Sequence, residues 1–259
     1  MKKILLSAFM LSGLFVFSQE KIKYETVCFE DNAVETKEGK FALQDGMAEK
    51  TFIKGKLKVT NYTDKALVIK PNECVFSSPQ GDIPSNDKWM VVAPRDQEAK
   101  VIDVKGYNMK CTSTTLKING LYICNNTEII SSPAMPLPPA KEKRIGNFAL
   151  ILDGWDRDGK EIMIRYKVKY LGEKIGMFSP DKVILKSPEG NEYKNQKEKE
   201  KTYAFKQFDD RLFTFIYLSD SKKDNILDWK DAFGEGIPEK LSNLTIDVKM
   251  DLGKTKDKN

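Results

Sequence analysis

One stretch of this sequence occurs twice, and this repeat limits the possible folds more than any other feature. Residues 56–82, KLKVTNYTDKALVIKPNECVFSSPQGD, recur without a gap as residues 165–191, RYKVKYLGEKIGMFSPDKVILKSPEGN, 109 residues later. Seven of the 27 aligned positions are identical: Lys58/Lys167, Val59/Val168, Lys65/Lys174, Pro71/Pro180, Ser78/Ser187, Pro79/Pro188 and Gly81/Gly190. A repeat of this length predicts two copies of one domain rather than a solenoid of small units.

Shorter matches extend the repeat in both directions. Residues 41–43 match residues 148–150, and residues 116–119 match residues 244–247, where the offset has grown to 128. The larger offset predicts an insertion in the second copy after residue 218. Within it, residues 224–234 start with Asp-Asn and end with Gly234, which predicts one short capped helix.

Apolar and basic residues alternate in the clearest strand of each copy. In the first copy, Ile53, Gly55, Leu57 and Val59 alternate with Lys54, Lys56 and Lys58. In the second copy, Ile162, Ile164, Tyr166 and Val168 alternate with Met163, Arg165 and Lys167. A period of two predicts a half-buried antiparallel strand with one wet face.

Two other segments carry strand signals. Pro71 interrupts an apolar run and predicts a bend or a change of sheet, because proline lacks the donor that a sheet ladder needs. Residues 212–218, LFTFIYL, are apolar on both faces and predict a central core strand.

The spacing of strands and turns predicts an all-β fold: two tandem immunoglobulin-like antiparallel β-sandwiches, with the one short helix inserted in the second. Each copy has about seven short strands and frequent turn signals, as such sandwiches do. The predicted domains are 19–130 and 147–252. A proline-rich linker at 131–146, predicted to be a spacer, joins them, and a disordered tail at 253–259 follows.

The first copy resembles a known group of exported bacterial domains. The residues that carry the resemblance are Val59-Thr60-Asn61, Pro71, Gly81-Asp82, and Ala93-Pro94 before Lys100-Val101-Ile102. They are similar to the immunoglobulin-like domains of the domain-of-unknown-function 4352 type, over residues 40–122 and more weakly over 147–252. The resemblance implies an exported β-sandwich with no shared catalytic residues.

The start of the chain predicts export. Lys2 and Lys3 precede an apolar run, and small residues lead up to a cleavage site between Ser18 and Gln19. Residues 1–18 are therefore predicted to be a signal peptide, and the product is expected to be periplasmic or secreted. The apolar run is shorter than the roughly 20 residues that span a bilayer. No membrane span is expected after it.

Composition excludes several classes of function. The chain has no histidine, which excludes serine–histidine–aspartate catalysis, cysteine–histidine catalysis and histidine-ligated zinc. Loss of Lys2 and Lys3 with the leader lowers the formal net charge from +5 to +3. So small an excess does not predict nucleic-acid binding.

The four cysteines, Cys28, Cys74, Cys111 and Cys124, all fall in the first copy. Export permits disulfides, and the pairing is left open among three connectivities. Buried reduced thiols are the alternative. Because the second copy has no cysteine, disulfides are not essential to the fold.

An acidic segment in the second copy is a candidate metal site. Asp153, Asp156, Asp158 and Glu161 supply the oxygen ligands that Ca²⁺ prefers, although the spacing departs from a calcium-binding loop. A charged hairpin turn is the alternative, and no other cofactor is predicted. Trp155 lies in the same segment and is a candidate either for stacking on a ligand or for packing.

Basic residues on the wet strand faces are candidates for binding anions. They are Lys54, Lys56 and Lys58 in the first copy, and Arg165 and Lys167 in the second. Anionic polymers of the envelope would bind such stripes, although solvated strand faces often carry lysines too.

Together these features predict an exported, non-enzymatic binding or scaffold protein of a bacterial cell envelope, with an envelope protein or glycan as its partner. A carbohydrate-binding module is the first alternative. A carboxylate-dependent glycoside hydrolase is the second, because acidic residues are plentiful.

Overall fold

The two alternating stretches form long antiparallel strands that lie inside sheets. In the first, Ile53, Leu57 and Val59 are fully buried, whereas the three lysines face outward. In the second, the buried side carries Ile162, Ile164, Tyr166 and Val168. The predicted half-buried strands are therefore confirmed.

A computed structural model describes residues 25–85, 89–197, 200–221 and 225–255, and only the backbone of residues 126 and 127. In the first half the strands are β1 (Val27–Cys28), β2 (Asn32–Glu35), β3 (Gly39–Glu49), β4 (Phe52–Asn61), β5 (Leu67–Ile69), β6 (Cys74–Ser78), β7 (Gly81–Pro84), β8 (Met90–Val92), β9 (Gln97–Lys105), β10 (Ser113–Ile118) and β11 (Leu121–Ile130). In the second half they are β12 (Met135–Pro136), β13 (Glu142–Ile145), β14 (Phe148–Asp158), β15 (Glu161–Tyr170), β16 (Ile175–Phe178), β17 (Ile184–Lys186), β18 (Glu192–Lys194), β19 (Tyr203–Phe205), β20 (Asp210–Leu218), β21 (Ile226–Asp228), β22 (Phe233–Lys240) and β23 (Leu244–Lys249). The predicted all-β class is confirmed.

Each half packs an outer sheet against other strands. The outer sheet of the first half has the order β1-β3-β4-β9, with β2 also beside β3, and that of the second half has the order β13-β14-β15-β20. Two four-stranded sheets lie on the other side of the cores, β23-β10-β6-β7 and β12-β21-β17-β18. Each half has its own large hydrophobic core.

The repeat recurs as structure at the same offset. Short 3₁₀ turns lie at Pro71–Glu73 and Pro180–Lys182, and both prolines are buried. At each turn the chain leaves one sheet and enters another, as Pro71 predicts. Gly81 and Gly190, at φ +99° and +88°, occupy matching turns in a backbone region that glycine adopts without strain.

The strand register corrects one of the shorter matches. Val59 pairs with Phe41, and its counterpart Val168 pairs with Leu150. Phe41 therefore corresponds to Leu150 at the offset of 109, and the match of residues 41–43 with 148–150 is wrong by two residues. At the offset of 109 the residues of β3 therefore correspond to those of β14, so the repeat continues without a gap into these two strands.

A six-stranded sheet joins the two halves, in the order β19-β16-β22-β11-β5-β8. Its outer members correspond pairwise, β8 with β19 and β5 with β16, so it has an approximate twofold relation about its centre. There β11 pairs antiparallel with β22, from Tyr122 opposite Lys240 to Ile130 opposite Phe233. A small third core lies on this sheet, with Val68, Cys124 and Ile175 buried in it.

Each half donates a strand to the other. After β11 the chain continues into β12, which pairs with β21 in the second half through Met135 and Leu227. After β22 it continues into β23, which pairs with β10 in the first half through Ile246 and Leu116. Ile246 and Val248 are consequently part of the first core. Residues 116–119 and 244–247, matched as equivalent in the sequence, are instead neighbours in one sheet.

The predicted helix at 224–234 is not present, and this prediction is wrong. Residue 224 lies outside the described residues, and the rest form strand β21, a turn at residues 229–232 and the start of β22. Leu227 pairs on both sides, with Met135 and Leu185. A short isolated helix is marginal, so pairing and burial override the capping signals.

Three other segments also differ in detail from the sequence-based expectations. Among the strands that the structure describes, β20 pairs only with β15, so it lies at the edge of its sheet and the prediction of a central strand is wrong. The proline-rich segment contains β12 and β13, and Met135 is buried in the second core. In the predicted tail, Thr255 donates hydrogen bonds to the carbonyl oxygens of Asp251 and Cys28, and residues 256–259 lie outside the described residues.

Candidate functional site

The candidate site is the lysine stripe, Lys54, Lys56 and Lys58, on the outer face of β4. Alternate residues of a strand are about 6.6 Å apart, so the three side chains form a regular row. In the described part of the chain none of them has a carboxylate partner. Lys54 lies instead 5.0 Å from the ring centroid of Phe52. Asp103 lies across from Lys54 in β9, so the part of the row without an acidic cross-strand neighbour is Lys56 and Lys58, which face Val101 and Ala99.

The second half neutralises the matching positions. Met163 replaces Lys54 at the offset of 109, and Arg165 and Lys167 match Lys56 and Lys58. Arg165 Nε lies 3.3 Å from Asp153 Oδ2, an ion pair without hydrogen-bond geometry. Lys167 Nζ lies 3.7 Å from Asp210. The five basic residues predicted as one class of site thus lie in two different electrostatic environments.

An open groove runs beside the lysine stripe. It has a volume of about 280 Å³ and is lined by Gln44, Lys56, Lys58, Gln97, Glu98 and Ala99. Next to it Val101 is exposed and pairs with Lys56 across the strands. The groove therefore offers amide groups, small apolar side chains and the carboxylate of Glu98 as well as the two ammonium groups.

Trp155 lies on the other side of its sheet from the basic residues. It pairs with the buried Ile164 in β15, so its ring turns towards the second core and packs against it. At the offset of 109 the first half has Gly46, where an added Cβ would lie 3.1 Å from the ring of Phe29. Trp155 thus fills a space that Phe29 fills in the first half.

The acidic residues of the same segment are spread along a hairpin. Asp153 lies at an irregularity in β14 and is paired with Arg165, whereas Asp156, Asp158 and Glu161 are exposed. Among the described residues no three carboxylates or thiols come close enough to hold a metal ion. The calcium site thus stays a prediction without support from the geometry.

The four cysteines are free thiols at separate places in the first half. Burial raises the pKa of Cys74 and of Cys111 to about 11, and that of Cys124 to about 12. At neutral pH these three are therefore protonated and behave as small apolar side chains.

The sequence did not indicate one further cluster, which lies on the six-stranded sheet. Lys70 Nζ lies 4.4 Å from the ring centroid of Trp89 and 4.2 Å from that of Tyr122. Tyr122 donates a 2.6 Å hydrogen bond to Glu73, and this bond raises the pKa of Tyr122 to about 12. Lys240 lies 3.6 Å from Glu73. These residues come from distant segments without a common spacing, and the two cations, Lys70 and Lys240, share the one carboxylate of Glu73.

No protein-family model matches the chain, and no curated protein matches it either. The resemblance to the exported bacterial domains therefore stays a prediction. The predicted signal peptide and its cleavage site lie outside the described residues. Among the described residues, no helix has the length and apolar character needed to span a membrane.

Proposed function

We propose that this protein is an exported, non-enzymatic binding protein of a bacterial cell envelope, and that its first half holds an anionic envelope polymer along the lysine stripe. The observation that carries the proposal is the difference between the two halves. The stripe has no carboxylate partners among the described residues, whereas the two matching basic side chains of the second half have Asp153 and Asp210.

The geometry of the stripe suits an extended polyanion. The Cα atoms of the three lysines are about 6.6 Å apart, which is less than the Debye length of roughly 8 Å at physiological salt, so the fields of neighbouring side chains add along the strand. A polymer with regularly spaced carboxylates or phosphates would contact several at once. The exposed Val101 and the amides of Gln44 and Gln97 would accept the uncharged parts of such a chain.

The other two functions gain no specific support. Trp155 turns towards the core, so it does not form the flat aromatic face that a sugar-binding module uses. The carboxylates of the hairpin lie along an open strand face rather than across a cleft, where paired acids would hydrolyse a glycoside.

Binding of a soluble polyuronate chain, measured by calorimetry over a range of salt concentrations, tests the proposal. We expect the triple variant Lys54→Gln, Lys56→Gln, Lys58→Gln to bind about tenfold or more weakly and to show a smaller salt dependence, because fewer counterions are released. The matched control is Arg165→Gln with Lys167→Gln in the second half, which should bind as the unmodified protein does. Binding that is absent, insensitive to salt, or equally weakened by both variants would contradict the proposal.

A further inference from the structure

A second open groove lies on the outer sheet of the second half, over Ala149. Its volume is about 400 Å³, which is within the range of small-molecule sites. Arg144 in β13 and Lys169 in β15 pair with Ala149 from its two sides. Ile151 and Leu171 line the groove in opposite directions along the strands. The groove therefore has a cation on each side, an apolar side chain at each end and a small floor between them.

The matching place in the first half is filled and carries both signs of charge. At the offset of 109 the first half has Lys40 in place of the alanine, Glu35 in place of the arginine and Thr60 in place of the lysine. Tyr62 stands in place of Leu171 and donates a 2.8 Å hydrogen bond to Glu35. Differences at these positions thus both open the groove in the second half and make it more positive.

The two cations of the groove are not neutralised by ion pairs within the chain. Neither Arg144 nor Lys169 forms an ion pair with a carboxylate of any described residue. Asp210 lies opposite Lys169 in β20, on the side away from the groove, and its carboxylate is 3.7 Å from Lys167. Both cations can therefore bind an anion that lies between them.

Two other charged residues line the groove, and neither fills the space between the cations. Glu142 lies beside Ile151, one row of the sheet away. Lys143 alternates to the other face of β13, where its amine donates a 2.8 Å hydrogen bond to the carbonyl oxygen of Pro133. With two cations against one carboxylate, the groove keeps an excess of positive charge.

We propose that this groove binds a phosphate monoester that carries an apolar group, with the phosphate over Ala149 and the apolar group on Ile151 or Leu171. Neighbouring strands are about 4.8 Å apart, so the backbones that carry Arg144 and Lys169 are about 9.6 Å apart and their long side chains reach one anion from both sides. A phosphate monoester has three strong acceptor oxygens and close to two negative charges at neutral pH. It can therefore accept hydrogen bonds from both cations at once.

Titration of the ¹⁵N-labelled protein with phenyl phosphate, followed by NMR, tests this site. We expect the double variant Arg144→Gln, Lys169→Gln to bind about tenfold or more weakly, because it loses the hydrogen bonds of two charged groups. The control is Lys40→Gln with Lys50→Gln, which removes the same charge from two exposed lysines of the first half and should bind as the unmodified protein does. Absence of binding, or equal loss in both variants, would overturn the proposal.

A substitution on the floor of the groove separates its shape from its charge. Ala149→Leu leaves the charge unchanged and should weaken binding of phenyl phosphate about tenfold, because the larger side chain occupies the place of the phosphate. Methyl phosphate should bind to the unmodified protein about threefold or more weakly than phenyl phosphate, since it has less apolar surface to bury. Unchanged affinity in Ala149→Leu, or equal affinity for the two esters, would contradict the proposed groove.

The phosphate can belong to a lipid headgroup or to a small soluble molecule, and vesicles that contain phosphatidic acid distinguish these sources. Sedimentation of the protein with such vesicles that requires Arg144 and Lys169 would support a lipid headgroup. Binding of phenyl phosphate without attachment to the vesicles would support a soluble phosphate monoester. Attachment that the double variant leaves unchanged would place the phosphate contact elsewhere and contradict the proposal.

Discussion

The two halves of this protein are alike inside and different outside. At matching positions both halves have a proline at the change of sheet, a glycine with positive φ in the following turn, and a buried valine in the central strand. Their outer faces diverge: the lysine stripe of the first half has no ion pair with any described residue, whereas Arg165 and Lys167 of the second half are paired and lie among exposed apolar residues. Two copies of one scaffold thus carry two outer faces of different chemistry.

The two halves also exchange strands, whereas two independent tandem domains would each form their sheets from their own strands. Strand β23 completes the sheet of the first half, and β12 completes that of the second. The six-stranded sheet continues from one half into the other through β11 and β22. A substitution in β23, which follows the second half in the sequence, is therefore expected to destabilise the first half.

The largest expected effect comes from shortening a buried side chain of the exchanged strand. Ile246 is fully buried in the first core, so Ile246→Ala should lower the free energy of unfolding by about 3 kcal/mol, as other large-to-small core substitutions do. Hydrogen exchange measured by mass spectrometry should show the loss of protection first in β10 and β6, which lie more than 100 residues away in sequence.

The matched variant for this comparison is Met135→Ala in β12. Met135 is 3% exposed and packs in the second core, so its loss of protection should begin in β21 and β17. If Ile246→Ala instead loosens the second half first, the exchange of strands described above is incorrect.

A smaller effect is expected at the end of the second core. Trp155 is partly buried there and takes the space that Phe29 takes in the first half. Trp155→Ala should lower the free energy of unfolding by about 2 kcal/mol, less than the 3–5 kcal/mol typical of a fully buried aromatic residue. Urea unfolding followed by circular dichroism measures it, with Tyr107→Ala, at a side chain that is 84% exposed, as the control. Equal stability of the two variants would show that Trp155 does not support the core.

The sequence predicts the local features of this fold well because their causes are local. Alternation of apolar and basic residues specifies β4 and β15, and Pro71 specifies the change of sheet. Pairing between distant strands has no such local cause. Strands β10 and β23 have similar sequences because they bury alternate residues in the same core, so their similarity does not indicate equivalent positions in the two copies.

Contacts between distant segments also determine the candidate site and the structure of residues 225–234. The lysine stripe is visible from the sequence, but the absence of ion pairs at Lys56 and Lys58 among the described residues depends on Val101 and Ala99 in another strand. The neutralisation of Lys167 likewise depends on Asp210. The predicted helix failed because Leu227 is paired from both sides. The cluster around Lys70 brings together four distant segments, which no spacing in the sequence could indicate.

A loss of stability at alkaline pH is also expected to begin in the first half, because the three buried thiols, Cys74, Cys111 and Cys124, lie there. Burial raises the pKa of Cys74 and Cys111 from 9.0 to about 11, and that of Cys124 from 9.0 to about 12. The folded protein thus keeps protons that the unfolded chain releases near pH 9. The stabilisation by these thiols is complete below pH 9 and is lost as the pH rises towards 11 and 12.

Urea unfolding at pH 8.0 and at pH 9.5 tests this titration before the tyrosines contribute. Stability should fall over this interval, and the triple variant Cys74→Ala, Cys111→Ala, Cys124→Ala should start lower but fall less steeply, because it has lost the groups that titrate. Trp89 reports on the first half, and Trp155 and Trp229 report on the second. Replacing tryptophans one at a time by phenylalanine therefore identifies the half that responds. An equal fall with pH in the protein and in its triple variant would mean that other groups are responsible.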